Sequence, residues 1–458
     1  MTELAYYEPP TLEPITYTAV TKHLTADISV PGSANDKYDI EALLETYGSP
    51  LFVVSEPVLR DLYRRFAKSF SDPEIDTQVA YSYKTNYLPA ICSIMHEEGA
   101  LAEIVSGMEY SLAGALGVPP SRVIFNGPYK EPKDLERALL EGAIVNVDNF
   151  AELSQVEQIA AGCDTPREIG IRVSFKYGVA PWTKFGFNFE NGDAFKALQR
   201  IAAHPKLELK LLHNHSGTFQ LIHDIYGQAT EVLIKVAREA RRLGLKPTMI
   251  DLGGGYPSAN QLKPEYDLPG GSVRKDDMLT PYADAIISRL RKAKDLFGGR
   301  PTLVLEPGRA VVDTAVDLLA RVVALKQIPN QGKAVIVDAG VNLVPTACWY
   351  DHHIDASTDA FEGGSSLETV AIYGPLCMQI DVLRNRALVP PLHVGDPIVI
   401  SNVGAYCQTQ SMQFIHTRPA TVLLGPDGPE LIRRAEEWSD FFVLDKMPER
   451  LRPDGFSL

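Results

Sequence analysis

Short apolar runs alternate with longer helix-patterned stretches between about residue 77 and residue 310. The runs are Val79–Tyr83, Ala102–Ser106, Val123–Phe125, Ala143–Val147, Ile169–Val173, Leu209–Leu212, Met249–Leu252 and Thr302–Leu305. The stretches between them carry apolar residues at helical spacing. From Gln228 to Leu243, for example, Ala229, Val232, Leu233, Val236 and Ala240 form one stripe. Strand–helix alternation of this kind predicts parallel βαβ units. Eight such units close a (β/α)8 barrel of the TIM type; an open doubly wound sheet is the alternative.

The texture changes after Arg309. Valine-rich and alternating segments follow, among them Ala315–Ala324, Lys333–Asp338, Pro397–Ser401 and Ala420–Leu424, separated by turn residues such as Pro329–Gly332 and Gly425–Gly428. This pattern predicts an α/β chain with a barrel over residues 46–312 and an antiparallel β domain over 313–458. Residues 1–45 are polar and short-stranded and are expected to pair with the β domain.

Composition narrows the partners. The 458 residues are 45% apolar, enough for sizeable cores, and the net charge of −14 comes with no basic block. No nucleic acid and no anionic membrane surface is expected as a partner. The N-terminal residues lack a basic start and an apolar core, so no signal peptide is expected, and no run is long enough to cross a bilayer. Five cysteines (92, 163, 348, 377, 407) are scattered without CxxC spacing, which points to a reducing cytoplasm rather than disulfides or zinc.

Candidate chemistry gathers at the C-terminal ends of the expected strands, where barrels of this type carry their active sites. The first ends in Lys84, within Tyr83-Lys84-Thr85-Asn86. A desolvated lysine on a rigid strand end can attack a carbonyl, and pyridoxal phosphate bound as a Schiff base is the obvious partner. The second strand contains Glu103; the sixth runs into His213-Asn214-His215-Ser216-Gly217-Thr218. The seventh runs into Gly253-Gly254-Gly255 and the eighth into Glu306-Pro307-Gly308-Arg309. Consecutive glycines let backbone N–H groups approach a phosphate, with Thr218 and Arg309 as further donors. Glu306 is suited to keep a pyridine nitrogen protonated, and His215 to stack on a ring. The His-x-His has no matched third ligand in sequence, and no metal is expected.

On these residues the chain resembles the fold-type III pyridoxal-phosphate decarboxylases, which include the diaminopimelate, ornithine and arginine enzymes. The resemblance extends to Glu103-Ile104-Val105-Ser106-Gly107, Val147–Leu153, Arg172, Lys184-Phe185-Gly186, Gly374-Pro375-Leu376-Cys377 with Asp381, and Gly404-Ala405-Tyr406, and covers about residues 48 to 420. It implies an alanine racemase-like barrel and a carboxy-lyase acting on an amino acid. Lys84 would hold the cofactor, Glu306 its ring nitrogen and His215 its ring face. Glu103 and Thr218 would join them, and Gly253 to Gly255, Gly308, Arg309 and Tyr406 would surround the phosphate. It also implies a homodimer with shared sites, in which Cys377 enters the partner's site and returns a proton to the substrate. Arg309, Thr346, Tyr350, Asp351, Met378, Asp381 and Tyr406 would face the substrate.

Two departures bear on that substrate. Met378 stands where diaminopimelate enzymes place Glu and ornithine enzymes Asp, and Thr346 stands where diaminopimelate enzymes place Arg. A thioether cannot pair with a distal ammonium, and a hydroxyl cannot replace a bidentate fork on a carboxylate. These features argue against diaminopimelate and for an amino acid with a non-standard, basic or derivatised side chain. A racemase on the same fold is the competing enzyme, and Glu306 speaks against it; a non-catalytic homologue is the competing non-enzyme.

Overall fold

The computed structural model describes residues 38–177, 184–263, 278–329, 332–356 and 367–453. Eight strands form one continuous parallel sheet: Asp76–Ser82, Leu101–Ile104, Val123–Phe125, Ile144–Val147, Arg167–Ser174, Leu207–His213, Met249–Asp251 and Thr302–Leu305, here barrel strands one to eight. Strand one pairs with strand eight, Asp76 to Val79 opposite Thr302 to Leu305, and strand four with strand five. No edge is left, so the sheet is closed and the open-sheet alternative falls. Helices cover the outside. The stripe between Gln228 and Leu243 lies in the helix Asp224–Arg242, with Ala229, Val232, Leu233, Val236 and Ala240 all buried.

The second sheet is built on the long strand Val316–Ile328. Its first part pairs antiparallel with Leu51–Ser55 on one side and Pro397–Ser401 on the other, and its later part pairs with Gly332–Val337. The sheet is mixed rather than wholly antiparallel. Leu51–Ser55 runs parallel to Ala420–Gly425, and Gly332–Val337 runs parallel to Glu368–Tyr373. Alternation along a strand records which faces are buried and carries no information about the direction of a partner brought in from far along the chain.

The same limit explains a second difference. Leu51–Ser55 falls within the 46–312 span expected for the barrel, yet it is a strand of the second sheet. Its run is apolar on both faces, as a barrel strand would be, and its neighbours Leu319 and Ala420 lie beyond the barrel in sequence. The helix Ile40–Tyr47 covers the same sheet: Ile40, Leu43 and Leu44 cluster with Leu51, Val53, Leu319, Val399 and Val422. The segment before Tyr38, expected to pair with this sheet, lies outside the described residues. Among the described residues no helix is long and apolar enough to cross a membrane.

The chain therefore enters the second sheet, makes the barrel, and returns. Leu51 is fully buried at that entrance. Leu51→Ala is expected to lower stability by about 2–5 kcal/mol, the usual cost of emptying a leucine site, read as a shift in the urea midpoint.

Candidate active site

Side chains alternate along a strand, so those pointing into the barrel recur every second residue. A lower tier of Ala80, Leu101, Ile124, Ile144, Leu211, Met249 and Val304 forms a buried apolar cluster, one residue from each of seven strands. Strand five contributes Gly170, where a Cβ would meet Leu211 Cδ2 at 3.2 Å. Two residues further along each strand or its end stand Ser82, Glu103, Asn126, Asn146, Arg172, His213, Asp251 and Glu306, all buried. An apolar plug thus closes the barrel, and a polar tier sits on it at the C-terminal end.

Lys84 lies just beyond that tier, in the short 3-10 turn Tyr83–Thr85 that ends strand one. Its Nζ forms an ion pair with Glu103 Oε2. Desolvation pulls the ammonium's pKa down, but the carboxylates of Glu103 and Glu306 outweigh it and hold the amine above its ordinary value. Burial alone would favour the neutral amine, but in the protein alone the nearby carboxylates keep it charged.

Glu306 follows strand eight, its N–H donating to Gly253 O at 2.9 Å. Burial works against its charge, but His213, Asp251 and Lys84 outweigh that and hold it well below the usual carboxylate range. His213 Nε2 lies 3.6 Å from Glu306 Oε2. Asp251 is pushed the other way by burial and by Glu306, so of the two carboxyl groups Asp251 carries the proton. The His213, Asp251 and Glu306 ligand atoms lie within 4.8 Å of one another. Among the described residues neither ring nitrogen of His213 has a hydrogen-bond partner, so this histidine meets Glu306 through charge rather than through a hydrogen bond.

The glycine loop is a cradle with no room for side chains. A Cβ on Gly254 would fall 2.4 Å from Glu306 O, and one on Gly255 2.3 Å from Gly217 O. Gly254 N–H donates to His215 Nδ1 at 2.9 Å, which makes Nδ1 an acceptor and sets the ring's orientation. Desolvation, with Arg172 and Lys84 nearby, pushes His215 well below its ordinary pKa, so the ring is neutral. Arg309 is buried, and among the described residues its Nε has no hydrogen-bond partner. Its guanidinium lies 4.4 Å from the Tyr350 ring centroid and 5.4 Å from that of Tyr406. The Gly253 N–H is likewise engaged, donating to Asp251 Oδ1 at 2.8 Å. An amine, an ionised buried carboxylate, a neutral ring, a glycine loop free of side chains and a guanidinium with a spare donor are a set that fits pyridoxal phosphate.

Residues 58–313 match the family model of the pyridoxal-dependent decarboxylase, pyridoxal binding domain. The chain belongs to the pyridoxal-dependent decarboxylases. It is 30% identical over 440 residues to the diaminopimelate decarboxylase of Methanocaldococcus jannaschii, covering 91% of this chain and 95% of that one. It is 28% identical to that of Bacillus subtilis, covering 88% and 92%. The crystal structure of the M. jannaschii enzyme superposes with a TM-score of 0.80 at 29% identity, over 91% of this chain and 96% of the other. A lysine/ornithine decarboxylase from Vibrio vulnificus, solved with cadaverine, shares the fold at a TM-score of 0.71 and 22% identity. The decarboxylase thus carries an alanine racemase-like barrel, uses pyridoxal phosphate and is a carboxy-lyase.

The second sheet of this decarboxylase closes over the barrel rim through Asp313. That fully buried carboxylate accepts from Ser258 Oγ at 2.5 Å, Asn260 Nδ2 at 2.8 Å, Arg309 Nη1 at 3.0 Å and Ala405 N at 3.0 Å. Tyr406 is in the left-handed region (φ 66°), and its N–H donates to Thr85 O at 2.8 Å, beside Lys84. Gly308 packs on Thr85, and Thr218 is exposed on the loop after strand six.

On the substrate side, Tyr350 lies under Arg309, and Asp351 pairs with Gln261 in a two-strand ladder. Cys377 is exposed on the loop before Asp381, and Met378 packs partly on the main core. Two expected substrate contacts are corrected. Thr346 is fully buried, and its hydroxyl meets His352 Nε2 at 2.9 Å and Cys407 Sγ at 3.1 Å, so it faces protein. Asp381 is buried, accepting from Val341 N at 2.8 Å and Leu376 N at 2.7 Å, so one oxygen holds the Cys377 loop and the other ties it to the segment after Gly332–Val337. In each case the sequence places the residue near the pocket, and neighbouring donors decide where its polar atoms point.

Sequence reasoning missed Asn126, Asn146 and Asp313. Counting two residues on from each inward apolar position would have found the first two. Asp313 has no such signal, because apart from Arg309 its donors come from two distant segments.

Burial lowers the pKa of His352 from 6.5 to about 4. As pH falls from about 6.5 the unfolded chain takes up this proton first, so stability is fully present above that window and declines through it to about pH 4. Replacing His352→Gln is expected to flatten the stability-versus-pH slope there by about 1.4 kcal/mol per pH unit at most. Urea midpoints of both proteins at pH 4.5, 5.5 and 7 provide the check; parallel slopes would contradict it.

Proposed function

We propose that this decarboxylase removes the α-carboxylate of an amino acid whose side chain differs from that of diaminopimelate, being basic or derivatised. The observation that carries the catalytic reading is the meeting of Lys84, Glu103, Glu306 and His215 above one apolar plug. When bound, pyridoxal phosphate supplies the electron sink that accepts the pair left behind by departing CO2. Lys84 would provide the amine that holds the cofactor. Glu306, ionised and buried, keeps a proton on the ring nitrogen. His215 offers a flat neutral face whose orientation is set by Gly254. Gly253 to Gly255, Arg309 and Tyr406 receive the phosphate. Cys377 of a second copy gives Cα the proton that replaces CO2, so the products are CO2 and an amine. This last role makes the working unit a head-to-tail homodimer with shared sites.

The substrate reading rests on two positions. Met378 offers no charge to a distal ammonium, and the Thr346 hydroxyl is already engaged by His352 and Cys407. The side-chain pocket therefore lacks both charged groups that would clamp the far end of diaminopimelate. Tyr350 and Asp351 remain as its polar contacts. A polyamine, siderophore or other specialised route suits such a product. The second reading is diaminopimelate decarboxylation proper, favoured by 30% identity to the M. jannaschii enzyme of that name.

Evolved CO2 separates the two. A panel of diamino, basic and N-acylated amino acids is expected to contain a better substrate than meso-diaminopimelate; fastest turnover of the latter would overturn the side-chain assignment. Lys84→Ala is expected to abolish borohydride-trappable cofactor, and Glu306→Gln to retain cofactor while slowing turnover about a hundredfold or more. Mixing Lys84→Ala with Cys377→Ala subunits is expected to restore part of the activity through hybrid dimers with one intact site. Absence of rescue after verified subunit exchange would argue that each chain builds its own site.

A further inference from the structure

Two carboxylates of the polar tier have separate duties in the reading above: Glu103 faces the lysine, and Glu306 serves the ring nitrogen. Asn126 stands between them. Its Nδ2 donates to Glu103 Oε1 at 3.0 Å and to Glu306 Oε1 at 2.6 Å, so each amide hydrogen has its own carboxylate. The amide's orientation is set from behind, because Asn146 Nδ2 donates to Asn126 Oδ1 at 2.7 Å. A reversed amide would turn a carbonyl oxygen toward both carboxylates and face Asn146 with a second donor. Asn146 reaches this position because residue 170 is glycine: a Cβ there would lie 1.8 Å from Asn146 Oδ1. A hydrogen-bonded relay thus runs from Asn146 on strand four through Asn126 to the carboxylates of strands two and eight.

We propose that Asn126 is a positioning residue that couples the lysine's counter-carboxylate to the ring-nitrogen carboxylate and holds both in one orientation. The proposal rests on the roles given above to Lys84 and Glu306. A neutral amide offsets the repulsion between two buried carboxylates without adding a proton that can leave. It therefore helps keep Glu306 ionised among its other neighbours, which are His213, Asp251, Lys84, Arg172 and His215. Asn126→Asp keeps the volume but sets a third carboxylate between the two. Asn126→Leu removes both donors. Gly170→Ala touches neither carboxylate; its Cβ meets Asn146 first and Leu211 Cδ2 of the plug at 3.2 Å, so it reaches the relay through Asn146.

The test uses the holoenzyme of the wild type and the three variants. Each is titrated with pH while the visible band of the bound cofactor and the kcat and KM for the best substrate of the panel are followed. Borohydride trapping on Lys84 is expected in all four proteins. In the variants kcat is expected to fall about tenfold or more with KM within about threefold, because the lost contact acts on the reacting state rather than on substrate binding. The acid limb of kcat and the spectral midpoint are expected to move up by about one pH unit, because loss of the amide donor, and in Asn126→Asp the added negative charge, favours protonation of Glu306. Variants that trap cofactor yet keep wild-type midpoints would overturn the role of Asn126 alone. A wild type that traps no cofactor on Lys84 would overturn the reading of the site and this proposal with it. If Asn126→Leu fails to fold, the isosteric Asn126→Asp decides.

Discussion

Charge buried on an apolar plug is the constraint around which this protein is arranged. The inward-facing residues of eight parallel strands cannot reach bulk water, and those of the upper tier are polar. Every such group must find its partner inside the tier or leave it to a ligand. Glu103 is matched by Lys84 and Asn126, and Glu306 by Asn126, His213 and a protonated Asp251. Among the described residues the buried Arg309 Nε and both ring nitrogens of His213 remain without a hydrogen-bond partner, and of these the Arg309 Nε is the donor suited to a phosphate.

The second sheet completes what the barrel begins. Asp313 takes donors from the loop after strand seven, from Arg309 and from the Ala405 backbone, so the phosphate side of the rim and the second sheet share one buried anchor. The Tyr406 N–H reaches across to Thr85, one residue from the lysine. Movement of the second sheet against the barrel would therefore disturb the lysine turn and the arginine together. A strand from each end of the chain, Leu51–Ser55 and Ala420–Gly425, lies side by side in that sheet. This pairing closes the barrel's two chain ends into one support.

Much of this was legible along the chain. Each barrel strand was visible as a short apolar run, because a strand covered on both faces needs continuous apolar character. Lys84, His215, the three glycines, Glu306 and Arg309 were visible because their residue types are unusual at strand ends. The roles of Thr346 and Asp381 were not. Both sit where a pocket contact is expected, but Thr346 turns to His352 and Cys407, and Asp381 turns to two backbone N–H groups. The choice depends on donors contributed by segments remote in sequence.

What the amino-acid sequence determined by itself was periodic and local: which residues face inward, where strands end, and which reactive side chains stand at those ends. These follow from backbone geometry, which repeats every two residues in a strand whatever the fold. What only the tertiary structure decided was direction and pairing. It set the parallel course of Leu51–Ser55 beside Ala420–Gly425, the charged state of Lys84 opposite Glu103, and the bridge of Asn126 between two carboxylates. Each of these depends on distances between residues far apart in the chain, and electrostatic and hydrogen-bond energies are set by those distances rather than by composition.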